Sequence, residues 1–196
     1  MTKILLASSS KFRSHLLDSI GLLHITASPN TDEIALPNEA PKLQAARLSL
    51  GKALALKDQY PDYLIIGSDQ VAVCDGKILH KPGTHTNAIQ QLKFASGKNA
   101  LFHTGICLLN TTTGEHQLTV NTTAVSYRPL SEQEIESYLT QDMPYQCAGS
   151  FKSEGLGISI LNKIEGTDPN ALVGLPLIDL LSMLRKENIN PLLESI

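Results

Sequence analysis

Three hydroxyls and two cations stand close together at Ser8, Ser9, Ser10, Lys11 and Arg13. They lie directly behind the apolar run Lys3–Ala7 and ahead of Leu16, Leu17 and Ile20. A helix start leaves backbone N–H groups unpaired and carries partial positive charge, so it draws anions. Serine hydroxyls and an arginine fork at such a place suit phosphate oxygens. The same residues also fit a plainer role, with Ser10 as an N-cap and Arg13 as a solvated first-turn residue.

Acids and lysines further along extend the chemistry. Asp69 sits in Gly67-Ser68-Asp69-Gln70, directly after the apolar run Tyr63–Ile66, the position where α/β proteins place ligands. A carboxylate there can bind a divalent cation or deprotonate water, or it can simply start the turn toward Asp75. Asp32 and Glu33 form an acidic pair in a polar, proline-punctuated segment, suited either to a shared metal or to solvent. Lys52 falls on an apolar helical stripe and either snorkels or reaches a phosphate as a point charge. Lys81 precedes Pro82, which stiffens the chain. Glu154 lies in the small-residue segment Cys147–Gly155, where an extended chain would set it on the same side as Lys152 and offer a carboxylate to a purine's donor edge.

Around these residues the pattern predicts alternating elements. Strands are expected at Lys3–Ala7, Leu22–Ala27, Tyr63–Ile66, Asn99–Leu109, His116–Tyr127 and Gly157–Leu161, with a hairpin at Asp75-Gly76. Helices are expected at Ala40–Asp58, Thr84–Ala95, Ser131–Tyr138 and Leu175–Asn188. In the first of these, Leu43, Ala46, Leu50 and Leu54 read as one buried stripe, and Ala45, Leu48, Ala55 and Leu56 as another. Intermingled helices and strands define an α/β class: an elongated mixed β-sheet flanked by helices, with two lobes and a central cleft.

Composition narrows the partners. Among 196 residues, 42% are hydrophobic and 18% charged, which supports one domain spanning residues 1–196. A net charge of −3, no tryptophan and 5% aromatics count against a nucleic-acid surface. No apolar run approaches membrane-spanning length, and the run after Met1 is too short for a secretion signal. Cys74, Cys107 and Cys147 contain no CxxC pair and fit reduced thiols in a cytoplasmic protein. A P-loop, a dinucleotide fingerprint, a zinc-protease motif and a nucleophile elbow are all absent.

As an ordered set, the segments resemble the Maf family of nucleotide pyrophosphatases. The set is Ala7-Ser8-Ser9-Ser10-Lys11-Phe12-Arg13, Asp32-Glu33, Lys52-Ala53, Ile66-Gly67-Ser68-Asp69-Gln70, Lys81-Pro82, Ser96-Gly97 and Asp168-Pro169-Asn170 with Val173-Gly174-Leu175-Pro176. Gln70 and the long Cys147–Gly155 segment are similar to the 7-methyl-GTP subgroup. The family usually has proline at Lys11 and two adjacent arginines where this chain has Arg13 alone.

The resemblance implies hydrolysis of a nucleoside triphosphate to the monophosphate and diphosphate, with an inosine-triphosphatase-like fold. It implies Asp69 as proton acceptor, and Glu33 with Asp69 holding Mg²⁺ or Mn²⁺. Ser8, Ser10, Arg13, Lys52 and Lys81 would contact phosphates, and Phe12, Gln70 and Glu154 would select the base. A homodimer is implied as well. N7 methylation makes guanine cationic, which suits the Phe12 ring and the Glu154 carboxylate. The alternatives are dTTP, UTP or another nucleotide as substrate, and a non-catalytic nucleotide-binding regulator of cell division.

Overall fold

The computed structural model describes residues 2–193. The strands are β1 (Lys3–Ala7), β2 (Ile25–Ala27), β3 (Tyr63–Cys74), β4 (Lys77–Ile78), β5 (Asn99–Asn110), β6 (His116–Tyr127) and β7 (Leu161–Glu165). The helices are α1 (Lys11–Ser19), α2 (Pro41–Leu54), α3 (His85–Ala95), α4 (Glu132–Asp142), α5 (Pro169–Val173) and α6 (Leu177–Lys186). The strand order is β2-β1-β3-β5-β6-β7, with β4 on β3. The sheet is mixed: β1 pairs in parallel with β2 and β3, whereas β4 and β7 pair antiparallel with β3 and β6. The chain divides into two compact units, one of residues up to 69, 104–121 and from 168 onward, the other of residues 70–103 and 122–167.

In the first unit the apolar runs are continuous because the strands are covered on both faces. Ile4, Leu6, Leu64, Ile66, Ile106 and Leu108 pack with Leu17 of α1 and with Leu177, Leu180 and Leu184 of α6. The alternate residues Leu5, Ala7, Ile65, Cys107 and Leu109 pack with Ala53 and Leu56 from α2 and its end. The period-2 alternation of a strand thus divides one apolar run between two helical layers.

The second unit has its own core. Phe151 packs against Phe102 and Tyr127, and α3 packs against α4. α4 starts with the expected capping box, Ser131 with Glu134. No helix among the described residues is long and apolar enough to cross a membrane.

Four elements differ from the sequence pattern. β3 does not stop at Ile66 but continues through Asp69 to Cys74, so Asp69 lies within a strand. Gly67, with no side chain, lets it pass beneath α2 at Ser49 and Ala53. On α2, Leu43 is 64% exposed and Leu54 is also exposed. The buried face is Gln44, Ala45, Leu48, Ser49, Lys52 and Ala53, because the small residues allow close approach to the sheet. The strand expected from Leu22 starts only at Ile25, since Leu22 N–H still bonds Leu17 O at the end of α1. Gly157–Leu161 is mostly a 3₁₀ turn, Leu156–Ile160. Gly157 sits so close to the Lys152 carbonyl that a Cβ would overlap it. Ser153–Gly155 is likewise a turn, so Lys152 and Glu154 do not share an extended segment.

Candidate active site

The start of α1 carries the first group of polar residues. Ser10 caps the helix, its hydroxyl accepting from Arg13 N–H at 3.4 Å, and Ser8 Oγ accepts from Ser10 N–H at 3.1 Å. Of the two roles seen in the sequence, the N-cap is the one Ser10 fills here. Arg13 is not a solvated surface group. Its Nε donates to Gly174 O at 2.7 Å and its Nη1 lies 3.4 Å from Ser8 Oγ. Burial pushes the guanidinium below its ordinary value, and the charges of Asp69 and Glu33 push it back up. Ser68 Oγ lies 2.9 Å from the same Gly174 carbonyl and 2.8 Å from Gly105 O, and its one proton serves one of them at a time.

On the α2 side of β3 stands a carboxylate–ammonium–carboxylate cluster. Lys52 Nζ is 2.6 Å from Asp69 Oδ1 and 2.6 Å from Glu33 Oε1. Lys52 is buried and does not snorkel. The segment bearing Glu33 is tied to the helix by Arg47, which donates to Ile34 O at 3.1 Å and forks onto Glu39 at 2.6 and 2.7 Å. Asp32 is exposed, its carboxylate accepting from Ile34 N–H at 2.9 Å. Asp69 N–H is taken by Ser49 Oγ at 2.9 Å. The local formal charge is two carboxylates against Lys52 and Arg13, a balanced set that an incoming polyphosphate would unbalance toward the anion.

Glu33 and Asp69 are the two carboxylates here that could hold a divalent cation. Glu33 and Asp69 already converge on one cation, the Lys52 ammonium. Among the described residues, no group of three or more His, Cys, Asp or Glu is placed to hold a metal. Two carboxylates, with phosphate oxygens and water completing the shell, suit the way Mg²⁺ binds with nucleotides.

The remaining candidates are distributed between the units. Phe12, at the second position of α1, is 39% exposed. Gln70 follows Asp69 on β3 and is half-buried, Lys81 is exposed between β4 and α3, and Glu154 is exposed in the turn after Phe151. Within the second unit, Lys81 and Glu154 both act on the Cys147 thiol. Burial first, and then the Glu154 charge, push that thiol up to about 11, while Lys152 and Lys81 oppose the shift.

Sequence reasoning missed Ser49, Arg47 and Ser68. Ser49 carried one legible signal, its spacing three residues before Lys52, which puts both on one helix face. Gly174 lay in a quoted motif, but nothing in that motif tells which carbonyl an arginine will choose.

These features define an α/β protein in which a helix start, an arginine and a Lys-bridged carboxylate pair surround one end of a parallel strand group. The sequence matches the Maf-like protein family over residues 3–187, and the chain belongs to that family. It is 50% identical over 183 residues to the 7-methyl-GTP pyrophosphatase of Nitrosococcus oceani, covering 93% of this chain and 92% of that protein. The structure of the Staphylococcus aureus Ham1 protein is similar at a TM-score of 0.44 and 15% identity, covering 64% of this chain and 71% of that one.

Proposed function

We propose that this chain hydrolyses 7-methyl-GTP to 7-methyl-GMP and diphosphate. The observation that carries the proposal is Asp69 held by Lys52 beside Glu33, in a chain 50% identical to a protein named for that reaction.

Asp69 is the proton acceptor. A water attacks the α-phosphorus, its proton passes to an Asp69 carboxylate oxygen, the bond from that phosphorus to the bridging oxygen breaks, and diphosphate leaves. Ser8, Ser10, Arg13, Lys52 and Lys81 contact the phosphates, with Arg13 offering its fork once Gly174 O has fixed Nε. Glu33 and Asp69 would hold a Mg²⁺ or Mn²⁺, which would supply charge neutralisation at the phosphate oxygens. Phe12, Gln70 and Glu154 select the base, the exposed Phe12 ring and the Glu154 carboxylate suiting a cationic purine. The family resemblance also carries a homodimer and a cytoplasmic setting into this proposal. Sedimentation velocity checks the dimer.

The test is diphosphate release from 7-methyl-GTP, GTP, ITP, dTTP and UTP with added Mg²⁺ or Mn²⁺. A preference for 7-methyl-GTP, lost by about 10²–10⁴-fold in Asp69→Asn, is the expected result. Comparable rates on dTTP would remove the base assignment, and no diphosphate from any nucleotide would remove the reaction.

A further inference from the structure

Asp69 is gripped twice by one helix. Lys52 of α2 holds its carboxylate, and Ser49, three residues earlier on the same helix, holds its backbone N–H at 2.9 Å. Ser49 is 0% exposed and spends its proton on Ala45 O at 2.7 Å, which leaves an oxygen lone pair to accept from Asp69. β3 needs that acceptor at this point, because its pairing with β1 is registered only from Lys3↔Tyr63 to Leu6↔Ile66. Three residues later the helix takes over from the missing strand.

Ser49 also sits where α2 approaches the sheet closely. A Cβ at Gly67 would overlap the Ser49 carbonyl, and one at Gly105 would overlap Ser49 Oγ and the Ala45 carbonyl. Side chains at Gly67 and Gly105 would push the helix off this seating. Since Ser49 and Lys52 share a face, that seating decides where the ammonium meets the carboxylate.

We infer that Ser49 is a positioning residue for the hydrolytic reaction, fixing the Asp69 main chain so that its carboxylate stands in register with Lys52. The inference rests on the functional proposal above. With the hydroxyl removed, Asp69 keeps its ion pair but loses the anchor of its peptide, and the proton acceptor moves by a fraction of an ångström relative to the bound nucleotide.

A control exists at the other end of the same strand. Thr111 Oγ1 accepts from Tyr63 N–H, also at 2.9 Å, the same chemistry on the same β3 but remote from Asp69. The experiment measures kcat, KM and Tm for wild type, Ser49→Ala, Ser49→Thr, Thr111→Val and Asp69→Asn with 7-methyl-GTP. Ser49→Ala is expected to lower kcat by about 10–100-fold with KM changed by less than about threefold. Ser49→Thr, which keeps the hydroxyl, restores part of kcat if it folds. Thr111→Val lowers Tm with kcat near wild type. If Ser49→Ala turns over within about twofold of wild type while Asp69→Asn is inactive, Ser49 has no positioning role and the functional proposal stands. If Ser49→Ala and Thr111→Val lose activity only in proportion to Tm, Ser49 is structural. Wild-type turnover by Asp69→Asn removes Asp69 as proton acceptor, and the role of Ser49 with it, while the hydrolysis itself stands; no diphosphate from the wild type overturns the functional proposal.

Discussion

Lys52 Nζ stands 2.6 Å from Asp69 Oδ1, and the same ammonium stands 2.6 Å from Glu33 Oε1. The side chains of Lys52 and Asp69 are 8% and 12% exposed, whereas Glu33 is 53% exposed. Removing either member of the buried pair therefore has unequal consequences. Asp69→Asn leaves Lys52 with Glu33, so no buried charge is orphaned. Lys52→Met leaves Asp69 buried without its ion-pair partner, the Arg13 charge then being the cation that still acts on it. In urea denaturation Lys52→Met is expected to cost about 3 kcal/mol and Asp69→Asn about 1 kcal/mol. Equal losses would mean that Glu33 contributes no compensation.

The packing of α2 on β3 predicts opposite outcomes for two glycine substitutions. Gly67→Ala would put a Cβ into the Ser49 carbonyl and close to Ala53, where the neighbour is backbone and cannot rotate away. Gly51, inside α2, has nothing within 4 Å of a built Cβ. Gly67→Ala is expected to lose more than about 3 kcal/mol together with activity. Gly51→Ala should gain about 0.5–1 kcal/mol from helix propensity and the stiffer unfolded chain. Thermal melts of both proteins check the pair, and a stabilised Gly67→Ala would show that the helix can slide.

Much of this arrangement was legible in the residues, for identifiable reasons. β1 was readable to its ends because five residues between a charged start and a serine cluster admit only a short strand. The cap at Ser10 and the box at Ser131 were local and needed no tertiary knowledge. On α2 the stripe of Ala45, Leu48 and Leu56, with Lys52 on it, is buried as read, whereas the stripe of Leu43 and Leu54 was misread because apolarity was taken as the guide to burial. The sheet instead accepts the smallest face, on which Gln44, Ser49 and Lys52 lie buried while Leu43 faces solvent. The continuation of β3 through Asp69 was hidden for the same reason. Gly67 and Ser68 look like a turn in sequence, and only α2 above them makes a strand of them. Ser49 and Gly174 depend on partners 20 and 161 residues away, which no local pattern contains.

Asp168 is a buried carboxylate with no ion-pair partner among the described residues, and it serves two helices. Oδ1 accepts from Asn170 N–H at 2.8 Å as the cap of α5, and Oδ2 accepts from Ile178 N–H at 2.6 Å in the first turn of α6. Both helix starts favour a negative charge. Asp168→Ala removes both acceptors and leaves two N–H groups unsatisfied, an expected loss of about 2–4 kcal/mol. Because α5 leads into Gly174, whose carbonyl holds Arg13, the KM for 7-methyl-GTP should rise as well. Urea curves and steady-state kinetics on the same preparation check both parts. Unchanged stability would show that water replaces the caps.

Acid should loosen each unit through one identified carboxylate. Hydrogen bonds from Arg47 hold Glu39 from its ordinary 4.5 down to about 2, with Leu36 N–H and the Arg47 charge adding to the effect. Ser131 N–H and hydroxyl, followed by Arg128, hold Glu134 down to about 2. A depressed native value means that the unfolded chain takes up protons first as pH falls. The stabilisation is therefore complete above pH 4.5 and is lost progressively between there and about 2. Wild-type Tm should fall steeply over this window. Glu39→Gln with Glu134→Gln should start lower at pH 7 and show a shallower descent, because the groups that bind the extra protons are gone. Melts at pH 7, 5, 4 and 3 measure the two slopes. Identical slopes would place the acid sensitivity in other carboxylates and leave Arg47 with a purely neutral-pH role in holding the Glu33 segment.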